Sequence, residues 1–364
     1  MPFDLVTDQG RSTGVPSVRA RRAVAIWLFT ICVMLLVMIG LGGATRLTNS
    51  GLSIMDWQPI SGIVPPLSVT EWERLFKIYM TIPQYKMQPA GFDLADFQHI
   101  FWLEWIHRFW GRLTGIAFLL PLLYFAATGR IRRRLLPGLI VIFCLGGVQG
   151  FVGWFMVSSG FMPDSAHVQT VRLVAHLSVA LVLYAAILWV AMTEWVPYPS
   201  VLPGALGLRR LVRVVVVLTS LTIVAGGFTA GSRAGYIFNT FPLMGGRLLP
   251  AGYDALRPFW MNWFHTLAAI QFDHRLLATA TAVTTLAAAI WGRSRRLRLP
   301  PGPRDAMLAL GVVVLVQYTL GVATLLLVVP VDLATLHQVV AVLLLSAGLI
   351  ALHSLRGARP HIQS

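Results

Sequence analysis

Eight apolar runs, each close to the roughly 20 residues a helix needs to cross a bilayer, constrain this chain more than any other feature. They cover about 24–43, 98–128, 136–157, 168–193, 211–230, 259–291, 306–329 and 333–354. In lipid every backbone polar group must be satisfied internally, so such runs fold as helices. With 56% hydrophobic and only 12% charged residues among 364, the chain reads as a polytopic, all-α integral membrane protein. The 98–128 and 259–291 runs are longer than the hydrocarbon core requires, so their starts are expected to project from it or tilt.

The net charge of +15 raises nucleic acid as a partner, and the positions of the basic residues argue against it. Eighteen of the 29 Lys and Arg fall in 11–22, 130–134, 209–213, 293–304 and 356–359, each beside the end of an apolar run. That is the positive-inside pattern. It places both termini in the cytoplasm and turns the loops 44–97 and 231–258 outward. The run Ala23–Gly43 is too long for a signal h-region and lacks a small-residue cleavage site, while Asp4 and Asp8 speak against a transit peptide. The expected location is a bacterial inner membrane. Cys32 and Cys144 both lie inside apolar runs, so no disulfide or zinc framework is indicated.

The chain repeats itself. GGATR at 42–46 and PISG at 59–62 match GGFTAGSR at 226–233 and PLMG at 242–245. WIHR at 105–108 matches FDHR at 272–275, VQGFVG at 148–153 matches VQYTLG at 316–321, and VAHL at 174–177 matches ATLHQ at 334–338. Four spans per half leave both copies in the same orientation, giving two pseudo-repeated four-helix bundles. The expected units are a tail at 1–23, a first bundle at 24–193, a Pro-rich cytoplasmic linker at 194–210, a second bundle at 211–354 and a tail at 355–364. In the first outward loop, Ser68 to Glu71 forms a capping-box pattern ahead of WERLFKIYM, which predicts a short amphipathic surface helix.

Four of the nine histidines recur in register: His107 and His176 in the first half, His274 and His337 in the second. They sit on the second and fourth spans of each half. Counted from the cytoplasmic ends at about 1.5 Å per residue, all four lie roughly 27–35 Å from that face. A single such histidine is as readily a packing residue. Four in register, with Arg108 and Arg275 adjoining two of them and Arg172 one turn before His176, point to chemistry, because ionisable groups are costly in a membrane. Paired imidazoles on facing helices suit heme iron, and arginines suit anionic propionates. Zinc is disfavoured, since no third ligand recurs. His99, His265, His167 and His353 are read as interfacial, and His361 lies in the tail.

The halves differ at a position beside the first histidine of each pair. Glu104 stands three residues before His107, on the same helix face, with Arg108 and Arg112 nearby. The second half has Gln271 at that place. A carboxylate can accept a proton, and an amide can only hydrogen-bond. The simpler role for Glu104 is an ion pair with Arg108, which would not preclude the other.

GGATRLTNSGLSIMDWQPISGIVPP at 42–66 and EWIHRFWGRLTG at 104–115 closely resemble the first loop and second helix of the heme A synthase family, and the resemblance extends over nearly the whole chain. It lacks the loop cysteine pair of one Gram-positive type and so resembles the proteobacterial and mitochondrial type. The resemblance implies oxidation of the C8 methyl of heme O to a formyl group, through hydroxymethyl and gem-diol stages, for cytochrome oxidase. It implies that His274 and His337, with Arg275, hold a heme b cofactor. It implies that His107 and His176, with Arg108, Arg112 and Arg172, take the substrate heme, and that Glu104 acts in the reaction. A heme O synthase is the expected partner by pathway logic, and the electron donor is unassigned. The rival readings are a diheme b-type electron carrier without chemistry of its own and, less favoured, a transporter. The similar depths of the histidine pairs disfavour electron transfer across the membrane, and no paired broken helices favour transport.

Overall fold

A computed structural model describes residues 16–55, 61–162 and 165–359. The expectations placed on Asp4, Asp8, the start of the PISG match and His361 fall outside these residues. Among the described residues, eight helices are long and apolar enough to cross a membrane. They are α1 (Val18–Leu47), α3 (Leu94–Ala127), α4 (Leu136–Ser158), α5 (Thr170–Trp195), α6 (Leu206–Gly231), α8 (Leu267–Gly292), α9 (Pro301–Leu326) and α10 (Val331–Ser354), with two short helices, α2 (Val69–Tyr79) and α7 (Asn262–His265), in the loops.

Helices α1, α3, α4 and α5 pack as one bundle and α6, α8, α9 and α10 as the other, joined through α1 against α10 and α5 against α6 and α10. Val342, Leu345 and Leu349 of α10 share a buried cluster with Leu28, Ile31 and Ile187 of the first half. The Tyr184 and Ser346 hydroxyls hydrogen-bond across the same interface at 2.8 Å.

The two long runs resolve differently. The first is a single 34-residue helix, α3, opened by a capping box in which Asp93 accepts from the Ala95 and Asp96 amides. At 1.5 Å per residue it is about 51 Å long, well beyond the hydrocarbon core. The second is interrupted. At Thr266 the backbone turns extended (φ −94°, ψ 114°), separating α7 from α8. Fully buried Asn262 explains the break. Its carboxamide bonds Leu256 N, Leu256 O and Phe259 O and accepts from the Thr266 hydroxyl, folding the preceding loop onto the helix start.

The predicted amphipathic helix is α2. Ser68 Oγ accepts from the Glu71 amide at 3.2 Å, while the Glu71 carboxylate pairs with Arg74 instead of closing the box. Its apolar face, Trp72, Phe76 and Tyr79, packs on Phe97 and Phe101 at the start of α3. Toward the terminal end, buried Glu194 receives Arg21 Nε at 2.8 Å and pairs with Arg132 through its other oxygen. The linker strand β1 (Leu202–Pro203) pairs in parallel with β2 (Ala358–Arg359), holding the end of the described chain against the linker.

Candidate functional site

A single cavity of about 1240 Å³ runs through both halves toward the loop end. His107, His176, His274 and His337 all line it. His107 lies within electrostatic reach of His176, and His274 of His337, so the four form two pairs, one per half.

Each imidazole rests on a glycine of the preceding spanning helix of its half. A methyl group built at Gly42 would lie 3.1 Å from His107 Cε1, at Gly153 2.8 Å from His176, at Gly226 3.0 Å from His274, and at Gly321 2.8 Å from His337. Only a residue without a side chain lets the ring sit there with the helices this close. The second glycine of each GG pair faces the other half. A methyl at Gly43 would meet Gln338 Oε1 at 2.6 Å, and one at Gly227 would meet Leu177 at 3.0 Å. Gln338 and Leu177 each follow a cavity histidine, so the two sites interlock at the interface.

The residues fit two hemes. The Nδ1 atoms of His107, His274 and His337 are buried without a hydrogen-bond partner, which leaves them open to a ligand. Such orphaned polar atoms cost stability unless a ligand uses the group. Five arginines, Arg46, Arg108, Arg112, Arg233 and Arg275, supply positive charge to the cavity.

Glu104 is the one acidic side chain among the described residues that line the cavity, and it is 2% exposed. Its carboxylate meets four donors. Arg108 donates to Oε1 from Nε at 3.0 Å and from Nη2 at 2.5 Å. The Ser53 hydroxyl and the Ile54 amide donate to Oε2 at 2.7 and 2.9 Å. Arg108 Nη2 also donates to Ile54 O at 2.8 Å. The expected ion pair therefore exists, and it fastens the loop after α1 to α3. The second half builds the same fastening without the carboxylate. Arg275 donates to Phe238 O at 2.6 Å and Thr240 O at 2.8 Å, and Gln271 Nε2 to Phe238 O at 3.2 Å. Gln271 Oε1 remains buried and unpartnered.

Of the residues singled out by sequence, the structure brings Glu104, His107, Arg108, Arg112, His176, His274, Arg275 and His337 to the cavity. It does not bring Arg172 there. That guanidinium lies 3.8 Å over the Phe155 ring and donates to Phe155 O at 2.9 Å. One turn before His176 on the helix is not the same as facing where His176 faces.

Arg46 and Arg233 take up positions at the cavity that the sequence reading left unassigned. They close the matched stretches GGATR and GGFTAGSR, so the repeat held the signal. The same holds for the four glycines and for Gln149, whose Nε2 sits 3.2 Å from His176 Nδ1 and whose counterpart Gln317 also lines the cavity. His167, read as interfacial, lines the cavity too, and burial together with the charges of Arg233 and Arg46 holds its pKa below the usual histidine value. His353 is buried between Thr193 and Arg356, away from the cavity.

Comparison with known proteins gives one answer. Residues 25–349 match the COX15-CtaA family model, described as cytochrome oxidase assembly protein. A protein of Granulibacter bethesdensis named heme A synthase is 56% identical over 343 residues, 94% of this chain and 90% of that one. Heme A synthase 2 of Acidiphilium cryptum is 49% identical, covering 94% of each chain. The heme A synthase of Nitrosospira multiformis is 44% identical over 92% of this chain and 94% of its own.

Proposed function

The chain belongs to the COX15-CtaA family of cytochrome oxidase assembly proteins, and on that premise we propose that it is a heme A synthase, a multi-pass membrane oxidoreductase. Its substrate is heme O, whose C8 methyl it oxidises to a formyl group by successive hydroxylations. The observation that carries this assignment to the residues is the asymmetry of two otherwise matched sites, Glu104 beside His107 against Gln271 beside His274.

The second half, with His274, His337 and Arg275, holds a resident heme b. That heme, when bound, supplies one-electron redox chemistry. The first half, with His107, His176, Arg108 and Arg112, takes heme O as substrate. The arginines Arg46 and Arg233, which line the cavity, would neutralise the propionates. Oxidation of a methyl group releases protons, and Glu104 is the group at the first site able to take one. Taking it at Oε2 requires Ser53 to turn its hydroxyl from donor to acceptor, which a hydroxyl can do and the Ile54 amide cannot. Arg108 keeps the carboxylate aimed during the exchange.

The expected setting is a bacterial inner membrane with both termini cytoplasmic. A heme O synthase is the partner that delivers the insoluble substrate. Mass analysis of hemes copurifying with the full chain tests the reading. Heme b together with heme O, its alcohol or heme A supports it. Unmodified heme b alone, with no conversion of supplied heme O, identifies an electron carrier instead.

A further inference from the structure

The two halves are internal controls for each other, and they differ along the seam between their second and third spanning helices. In the second half that seam is α8 against α9. Tyr318 and Thr279 line the cavity there and hydrogen-bond hydroxyl to hydroxyl at 3.1 Å. Phe241 packs edge-on against Tyr318 at 6.3 Å between ring centroids, and Val314, one turn earlier on α9, is 2% exposed.

The histidine registers give the first-half counterparts. Tyr318 stands three residues before Gly321, the glycine under His337, and Gly150 stands three before Gly153, the glycine under His176. Val314 corresponds in the same way to Gly146. On the facing helix, Thr279 lies five residues after His274, and Arg112 lies five after His107. A side chain that bridges α8 and α9 is thus absent from Gly150. Methyl groups built at Gly115 of α3 or at Gly146, Gly147 or Gly150 of α4 would meet nothing within 4 Å, yet all four residues line the cavity. Helix α4 buries Leu139 and Ile142 near its start and nothing beyond, whereas α9 buries Ala306, Met307, Leu310, Gly311 and Val314 over its first half and Thr324 near its end.

We propose that the first-half site opens sideways to the bilayer between α3 and α4, that a heme bearing a long hydrocarbon tail lays the tail through this opening, and that Gly150 against Tyr318 decides which half accepts a tailed heme. The inference rests on the reading of the first half as the heme O site. Heme O differs from heme b by a farnesyl-derived tail. Every methylene of that tail favours an apolar path over water, so an exit into lipid suits it better than one through the polar loop end. The second half, closed by Tyr318 and Thr279, excludes the tail by steric clash and keeps the untailed heme. Discrimination of this kind depends on a repulsive element as much as on an attractive one.

The test is heme occupancy, not turnover. Full-length Gly150→Tyr, which installs the second-half residue, is purified from membranes producing both heme b and heme O, and its hemes are extracted and quantified. Tailed heme should fall about tenfold or more relative to wild type while heme b stays unchanged. Gly115→Leu approaches the same opening from α3 and should do the same. Tyr318→Gly should raise the ratio of tailed to untailed heme. Wild-type tailed-heme occupancy in both Gly150→Tyr and Gly115→Leu would overturn the proposal. Equal loss of both hemes in both variants would also overturn it, because the seam would then be a packing contact of the whole bundle. Failure of the parent reading looks different: wild type would bind heme O and never convert it, with the occupancy pattern of the variants intact.

Discussion

Gln338, the residue after His337, donates from Nε2 to the carbonyl of Ile39 at 3.0 Å, so the helix carrying a second-half histidine is tied to the first helix of the other half. Its amide oxygen lies over Gly43, and the neighbouring Gly42 supports His107. The mirror contact, Leu177 over Gly227, is apolar. Gln338→Leu makes the two contacts alike. It should retain heme b and lower stability by about 1 kcal/mol, the usual net worth of one hydrogen bond, since Ile39 O keeps its helical partner. Thermal unfolding of the heme-loaded protein measures this.

Gly321→Val should displace the His337 ring, because even a methyl there would lie 2.8 Å from Cε1. Overpacking of this kind costs roughly 1–3 kcal/mol, which is about 5- to 150-fold in heme affinity. Heme b per protein should fall. The matching change Gly153→Val, where a methyl would lie 2.8 Å from His176 Cε1, should leave heme b in place and lower heme O retention. Equal heme b loss in both would contradict the division between halves.

Glu104→Gln copies the second half at the first site. Heme b should remain, and heme A formation should fall by about 10² or more, the range for positioned acid–base groups. Ser53→Ala removes one of four donors to the carboxylate and its hydroxyl route, and should slow turnover with a smaller loss of protein. Unchanged turnover per heme-loaded molecule in Glu104→Gln would reduce the residue to a loop fastening.

His167 should make stability sensitive to acid. Burial, Arg233 and Arg46 lower its pKa from 6.5, so below that value the unfolded chain binds a proton that the folded chain does not. Stability therefore falls as pH drops through and below about 6.5, down to the lowered folded value. His167→Gln should flatten the melting-temperature profile over that window, and an unaltered profile would assign the acid sensitivity elsewhere.

Reporter fusions after Gly62 and after Gly246 should both report the outer side, and fusions at either terminus the cytoplasm, if the basic segments set orientation. A cytoplasmic signal from either loop would invert the proposed depth of all four histidines.

The sequence by itself determined the eight spans, the two halves, the four histidines and the exchange of Glu104 for Gln271. These are one-dimensional signals, carried by run length and by repeated residues at fixed offsets. Tertiary structure alone decided which way side chains face. A helix apolar on all sides carries no amphipathic mark of its rotation. Arg172 could therefore be placed one turn from His176 by counting, yet only packing turned it onto Phe155, while Arg46 and Arg233 came to the cavity. The break at Thr266 was hidden for a related reason. The run 259–291 is long enough to be read as one helix, and the stop comes from the hydrogen bonds of one buried residue, Asn262, which hydropathy does not see. The glycines under the four rings were visible as repeats, but their purpose is a distance between helices, and no single helix encodes that distance.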